Sequence, residues 1–361
     1  MADSGKKALE IFSPTRIFIT IIIGLSVAGY LVYKDFNADA FLKIRWGWDS
    51  TLWIFIALCM MAIRDLAYMY RIRVLTDNKL GLKQSFEVIM LWEFASAITP
   101  SVVGGSGVAI YFVNKEGISV GKSTAVVMVS ALLDELFYII MVPIVLLTTG
   151  IHNLFPTMIT QELFGMTLGP IGIFVAGYCF IVLLTCIIAY AIFIRPRGFK
   201  YILIQVFKIP FLKRWRYAAI QTGDDIITTS KELKGKPKRF WIKSSVSTFL
   251  AWTARFWVVN FILLAFISVN DHMLIYARQL VMWVIMLISP TPGGAGVAEV
   301  SFTTFLHDLI PLGLIGTMAL LWRLISYYPY LFIGAVILPN WIRRTHKKNK
   351  VEEKTTEVEQ R

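Results

Sequence analysis

Eight ionisable side chains fall inside apolar stretches that read as membrane segments: Arg64, Asp65, Glu93, Asp134, Glu135, Arg255, Glu299 and Arg323. At roughly 3 kcal/mol each on insertion scales, leaving them in lipid would cost on the order of 20 kcal/mol. They must therefore face one another or a water-filled cavity. Arg255 and Arg323 lie mid-span, and a guanidinium binds phosphate through two parallel hydrogen bonds. Glu299, Asp65, Glu93, Asp134 and Glu135 could hold a cationic headgroup or a coupling proton. The plainer alternative is that the charges form static ion pairs between helices. Asp134 and Glu135 are adjacent on one helix, so only one of them is expected to face the cavity. Arg64 sits near the end of its span and is expected to snorkel towards the headgroups. No Ser, His or Cys constellation with nucleophile spacing accompanies these groups, and the four His and three Cys show no metal-ligand spacing. No P-loop occurs, so neither a metal nor another cofactor is expected.

The stretch Ser289-Pro290-Thr291-Pro292-Gly293-Gly294-Ala295-Gly296-Val297-Ala298-Glu299 interrupts what would otherwise be plain transmembrane helix. Each proline removes a backbone donor and clashes with the preceding turn. The glycines can take conformations closed to other residues. Broken backbone at membrane depth survives only where it is buried in protein or lines a wet cavity. A second copy runs from Thr99, with Pro100, Gly104, Gly105 and Gly107. Aligning Gly107 with Gly296 places Asp134 on Arg323 and, with a one-residue gap, Asp65 on Arg255. The halves read as diverged repeats, about 50–150 and 240–340, with opposite charges at matching depths.

The chain is 57% hydrophobic and only 16% charged, against about 25% charged in ordinary soluble domains. The fold class expected is all-α: a polytopic bundle of about six full spans plus two helical hairpins. The spans run at about 17–33, 51–70, 123–147, 168–194, 240–267 and 312–338. The hairpins occupy about 85–113 and 276–309, and each arm is short of the ~20 residues a crossing needs. They are read as re-entrant. Residues 195–243 carry thirteen Lys or Arg against three acidic residues, a balance of +10. In such a protein that block reads as a loop facing anionic lipid and not as a nucleic-acid site. Within it, Phe199–Tyr217 reads as one helix lying in the headgroup layer. With the N-terminus inside, the loops at 71–83 and 195–243 and the C-terminal tail fall on one side, as the positive-inside rule asks. The expected location is the cell (inner or plasma) membrane, multi-pass, with both termini cytoplasmic. Residues 1–340 form one membrane domain, and the polar tail 341–361 is expected to be disordered.

The second glycine stretch, the earlier Thr-Pro…Gly-Gly-x-Gly copy and Lys115-x-Gly117-x-Ser119 resemble the transmembrane region of lysylphosphatidylglycerol synthases. The resemblance runs over about residues 15–340. Ser101 stands where a glycine is common, and no basic residue lies near Tyr111. The resemblance implies a region like a lipid flippase, with aminoacyl transfer done in fused members by a separate soluble domain. No such domain follows the last span here, so enzyme activity is not the expectation.

Together these features point to a transporter that moves a polar-headgroup phospholipid or lipid-linked substrate between leaflets. Inverted repeats with broken helices near the midplane are a recurring transporter architecture. An ion-coupled transporter of a small polar solute would use the same cavity closed off from lipid. An intramembrane enzyme of lipid-linked phosphate metabolism would need a nucleophile beside the acids. The inverted arrangement is tested by cysteines at Lys213 and Asn153 in a background lacking Cys59, Cys179 and Cys186. They are expected to label from opposite faces of the membrane; labelling of both from one face removes the inverted-repeat reading.

Overall fold

The computed structural model describes residues 46–359 apart from 100–101, 156–160, 164–165, 169, 210–212, 214–215, 287–290 and 312, with a few isolated positions before residue 46. The first expected span, 17–33, and Pro100 and Pro290 lie outside the described residues. The fold is all-α. Two three-residue strands, Gln161–Leu163 and Met166–Leu168, pair antiparallel with Leu163 opposite Met166 in a small hairpin that the sequence reading did not anticipate. Among the described residues five helices are long and apolar enough to cross a membrane.

The first half consists of α1 (Trp48–Leu75), α2 (Leu82–Ile98), α3 (Val102–Lys115) and α4 (Val120–Thr149). A short turn, α5 (Ile151–Leu154), leads through the strands to α6 (Pro170–Ala189), which ends in a π-helical turn at Tyr190–Ile194. The basic block is two helices, α7 (Pro196–Val206) and α8 (Arg216–Leu233), not the single Phe199–Tyr217 helix expected. Pro210 in the sequence disfavours helical backbone just before it, which agrees with α7 stopping at Val206. The second half is α9 (Lys238–Leu264), α10 (His272–Met286), α11 (Val297–Leu306), α12 (Ile315–Ser326) and α13 (Tyr328–Glu359).

Two boundaries differ from the sequence reading in ways that matter. α1 continues to Leu75, so Arg71 and Arg73 belong to the helix and not to a loop. The last span is broken at Tyr327, whose backbone leaves the helical region at φ −133° and ψ −58°. Pro329 fits the break, because proline lacks the backbone donor that a continuing helix needs and is favoured in the first turn of a new one. α13 then stays helical to Glu359, through most of the tail expected to be disordered. That tail is rich in Lys and Glu, both good helix formers.

The centre of the molecule is the pairing of α1 with α9, the most extensive helix contact in the fold. The two run antiparallel: Ser50 Oγ, near the start of α1, donates to Ala265 O just past the end of α9 at 2.6 Å, and Trp53 stacks on Phe261. Ala57, Ser247, Ala251 and Ala254 are buried there. Small residues let backbones approach closely where no hydrophobic effect drives helices together. Several of the remaining contacts are reciprocal between halves. α4 packs on α9 as α12 packs on α1, and α4 packs on α10 as α13 packs on α2.

Each hairpin is tied at its open end. Gln84 donates to Glu116 at 2.9 Å across α2–α3, and Trp341 and Arg344 of α13 also bind Glu116. On the second hairpin Arg278 donates to Asp308, to Phe305 O at 2.9 Å and to Asn153 O at 2.9 Å. α13 lies so close to α2 that a Cβ on Gly334 would sit 2.3 Å from the side chain of Phe94. An alanine in a helix is normally favoured over glycine by about 1 kcal/mol. Gly334→Ala should instead destabilise the protein by about 1–3 kcal/mol through overpacking. Thermal unfolding in detergent checks the sign: a raised midpoint would show that α13 is not seated against Phe94.

Candidate functional site

The second break is built from left-handed backbone. Gly293, Gly294 and Gly296 have φ of +57°, +68° and +83°, a region costly for residues with a Cβ. Ala295 N donates to Pro292 O at 3.0 Å and Gly294 N to Thr291 O at 3.1 Å, closing two tight turns. A Cβ on Gly293 would meet Tyr327 Oη at 2.4 Å and Ala97 O at 2.6 Å. The tip of the second hairpin therefore touches the end of α2 and the break between α12 and α13, and Tyr327 Oη donates to Ala97 O at 2.9 Å.

Glu299 holds this junction. Its Oε2 accepts from Gly296 N at 2.7 Å, at the start of α11, and its Oε1 accepts from Arg323 Nε at 2.8 Å. Glu299 is 0% exposed and does not line the cavity. Arg323 also donates to Gly293 O at 3.3 Å and lies 3.6 Å from the centroid of the Tyr327 ring. The first break is not its copy. Gly104, Gly105 and Gly107 all fall inside α3. Gly105 matters for packing, because a Cβ there would meet Ser96 Oγ at 2.2 Å, while at Gly107 a Cβ would meet nothing within 4 Å.

Two further arginines are paired. Arg64 binds Glu93 of α2 at 2.6 Å, Asp65 at 2.8 Å and the hydroxyl of Tyr330 on α13 at 2.9 Å. Arg71 binds both oxygens of Asp134 on α4, at 2.6 and 3.3 Å, and Thr248 of α9 at 3.0 Å. Trp252 Nε1 completes the Asp134 shell at 2.9 Å. Arg64, Tyr68 and Arg71 share one face of α1 at spacings of four and three residues, and both guanidiniums lie over the Tyr68 ring.

These groups surround a cavity of about 250 Å³ between the two halves, closed at one end by Thr291, Gly293 and Gly294. Two charged groups on its wall have no counter-ion among the described residues. Arg255 of α9 lies 4.3 Å from the Trp283 ring and 5.7 Å from the Trp252 ring; among the described residues no carboxylate comes within 4 Å of it, and the Glu93 carboxylate that it feels from further off is already bound to Arg64. Glu135 lines the cavity with its Oε2 buried and without a hydrogen-bond partner.

The structure thus gathers Arg255, Arg323, Glu93, Asp134 and Glu135 on one cavity wall, with Asp65 and Glu299 behind it as ligands of arginines. Two expectations are corrected. Arg64 does not snorkel; it is 1% exposed and triply bound. Asp134 and Glu135 both line the cavity. Static pairs do form, with Arg323 on Glu299 and Arg71 on Asp134. Nothing in the sequence reading above singles out Arg71 or Tyr330. The periodicity of Arg64, Tyr68 and Arg71 would have found the first, and Tyr-Tyr-Pro at 327–329 would have located the helix break.

Residues 17–334 match the family described as the lysylphosphatidylglycerol synthase TM region. The chain belongs to that family. A UPF0104 membrane protein of Archaeoglobus fulgidus is 26% identical over 345 residues, covering 88% of this chain and 94% of the relative. The chain is accordingly a membrane protein of a lipid-related family. The family match takes in every residue of the cavity wall and stops before Trp341 and Arg344.

Within this family member the pairing pattern predicts two classes of arginine. Removing Arg323 strands the buried Glu299 carboxylate, and breaking such a pair typically costs about 3–5 kcal/mol. Arg323→Ala should therefore lower thermal stability in detergent sharply, and Arg323→Ala with Glu299→Gln should recover part of it. Arg255→Ala strands no carboxylate and should change stability by about 1 kcal/mol, the scale of its cation–π contact. Equal losses from Arg255→Ala and Arg323→Ala would contradict this division.

Proposed function

We propose that this protein translocates a phospholipid or lipid-linked phosphate between leaflets, passing the headgroup through the cavity while the acyl chains stay in the bilayer. The observation that carries the reading is Arg255. It is a cation on the cavity wall, seated on Trp283, and among the described residues it lacks the directly bound carboxylate that Arg64, Arg71 and Arg323 each have. A phosphate would supply that counter-ion through two parallel hydrogen bonds. At about 250 Å³ the cavity is below the roughly 300–1,000 Å³ of drug-sized sites, a size that suits a headgroup.

The architecture supports the same reading. α2 and α3 have 17 and 14 residues, and α10 and α11 have 15 and 10. Each is below the ~20 residues of a full crossing, as re-entrant hairpins require. Antiparallel α1 and α9 and the reciprocal contacts of the halves are what a two-fold axis in the membrane plane would produce. In this reading both termini are cytoplasmic, Asp65, Glu93 and Glu299 position the arginines, and Arg323, Asp134 and Glu135 line the path.

The test is translocation of a headgroup-labelled phospholipid in reconstituted vesicles. Losing a charged hydrogen bond of about 1.5–3 kcal/mol should slow Arg255→Ala roughly 10- to 100-fold, while Arg255→Lys should keep a measurable rate. A normal rate for Arg255→Ala would overturn the phosphate seat. Uptake of a soluble anion without lipid movement would favour the solute transporter.

A further inference from the structure

The basic block between α6 and α9 plays no part in the cavity, yet it is a folded and firmly attached unit. α8 packs on α4 so closely that a Cβ on Gly121 would sit 2.3 Å from Thr228 Cγ2. α7 packs on α8 in the same way, with Gly223 against the stem of Lys200, whose Nζ meets Asp224 at 2.5 Å. At the far end Lys236 donates to Asp77 at 2.6 and 2.7 Å, and Lys122 reaches Asp77 at 3.0 Å. Burial alone would raise the Asp77 carboxyl; the hydrogen bonds from Lys236 and Lys122 outweigh it and hold it below the usual carboxylate range.

Against that fixed frame, the outer face of α7 is left apolar. Ile202 and Val206, four residues apart on α7, and Ile209, in the turn just past its end, are exposed, at 52%, 43% and 51%. Phe193 and Ile194, at the end of the spanning segment just before α7, are exposed as well, so this apolar face continues the belt that α6 presents to lipid. Arg195, Arg197, Lys208, Lys213 and Arg216 are exposed beside it and have no acidic partner among the described residues. The cations that do have partners, Lys200, Lys122 and Lys236, are the ones that hold the block together.

We infer that α7 and the turn that follows it form an in-plane binding surface for anionic lipid headgroups, with Ile202, Val206 and Ile209 set into the acyl boundary and the unpaired cations beside them on lipid phosphates. Continuity with the α6 belt and the surplus of positive charge select the bilayer over an acidic protein or a second copy of this chain. Amphipathic helices of this composition bind by apolar burial plus attraction to anionic lipid. The inference stands apart from the cavity and does not depend on what the cavity carries.

The test uses the full chain lacking its three native cysteines, with Ile202→Cys carrying an environment-sensitive fluorophore. It is reconstituted in vesicles of phosphatidylcholine and of an equal mixture of phosphatidylcholine and phosphatidylglycerol. In the mixture the label should shift to the blue, be quenched by lipids brominated along the chain and be shielded from iodide. Arg197→Glu with Lys208→Glu should lower that insertion equilibrium roughly tenfold or more in the mixture and leave the phosphatidylcholine value unchanged. A label equally open to iodide in both vesicles would overturn the proposal. So would insertion indifferent to both phosphatidylglycerol and the charge reversal. Shielding that appears in detergent only as the protein dimerises would assign the face to a second copy instead.

Discussion

One carboxylate carries the broken backbone and its arginine together. With one oxygen Glu299 takes the amide of Gly296 at the start of α11, and with the other it takes Arg323 from α12. The first contact satisfies a helix N-terminus that has no partner of its own at this depth. The second neutralises a guanidinium that could not otherwise stay in the protein interior. Arg323 in turn reaches Gly293 O and lies against Tyr327, which binds Ala97 at the end of α2. The tips of both hairpins thus depend on a side chain that never touches the cavity.

The sequence shows the elements well because composition and periodicity govern them. Both Pro/Gly interruptions, the hairpin arms and the mid-span charges are legible in it, and the arms lie within a few residues of where they are read. Pairing is less legible, because it depends on which helix faces which. The alignment of Asp134 with Arg323 does not say which partner either takes. In the fold they stand on corresponding helices and find different partners, Arg71 and Glu299. Arg71 escapes notice because a basic residue at the end of a hydrophobic run reads as the start of a loop, whereas α1 carries it a further turn inside.

The two halves also use their glycines differently. In the second, three glycines hold left-handed backbone, and two of them, Gly293 and Gly294, line the cavity. In the first, the glycines are helical, and Gly105 lets α3 lie against Ser96 of α2. Similar motifs thus serve a turn in one half and a helix contact in the other. The charges diverge likewise: Asp65 stabilises Arg64, while its counterpart Arg255 rests on two tryptophan rings.

α1 enters both sets of ion pairs that flank the cavity. Arg64 ties it to α2 and α13, and Arg71, seven residues and about 10 Å further along the axis, ties it to α4 and α9. Any sliding or rotation of α1 alone would break both sets at once and strand several charges in a medium of low dielectric constant. Small graded displacements are therefore closed to it. Movement of α1 on its own would have to open Arg64–Glu93 and Arg71–Asp134 together, so the helix is held in one register by two ion pairs that reach different neighbours.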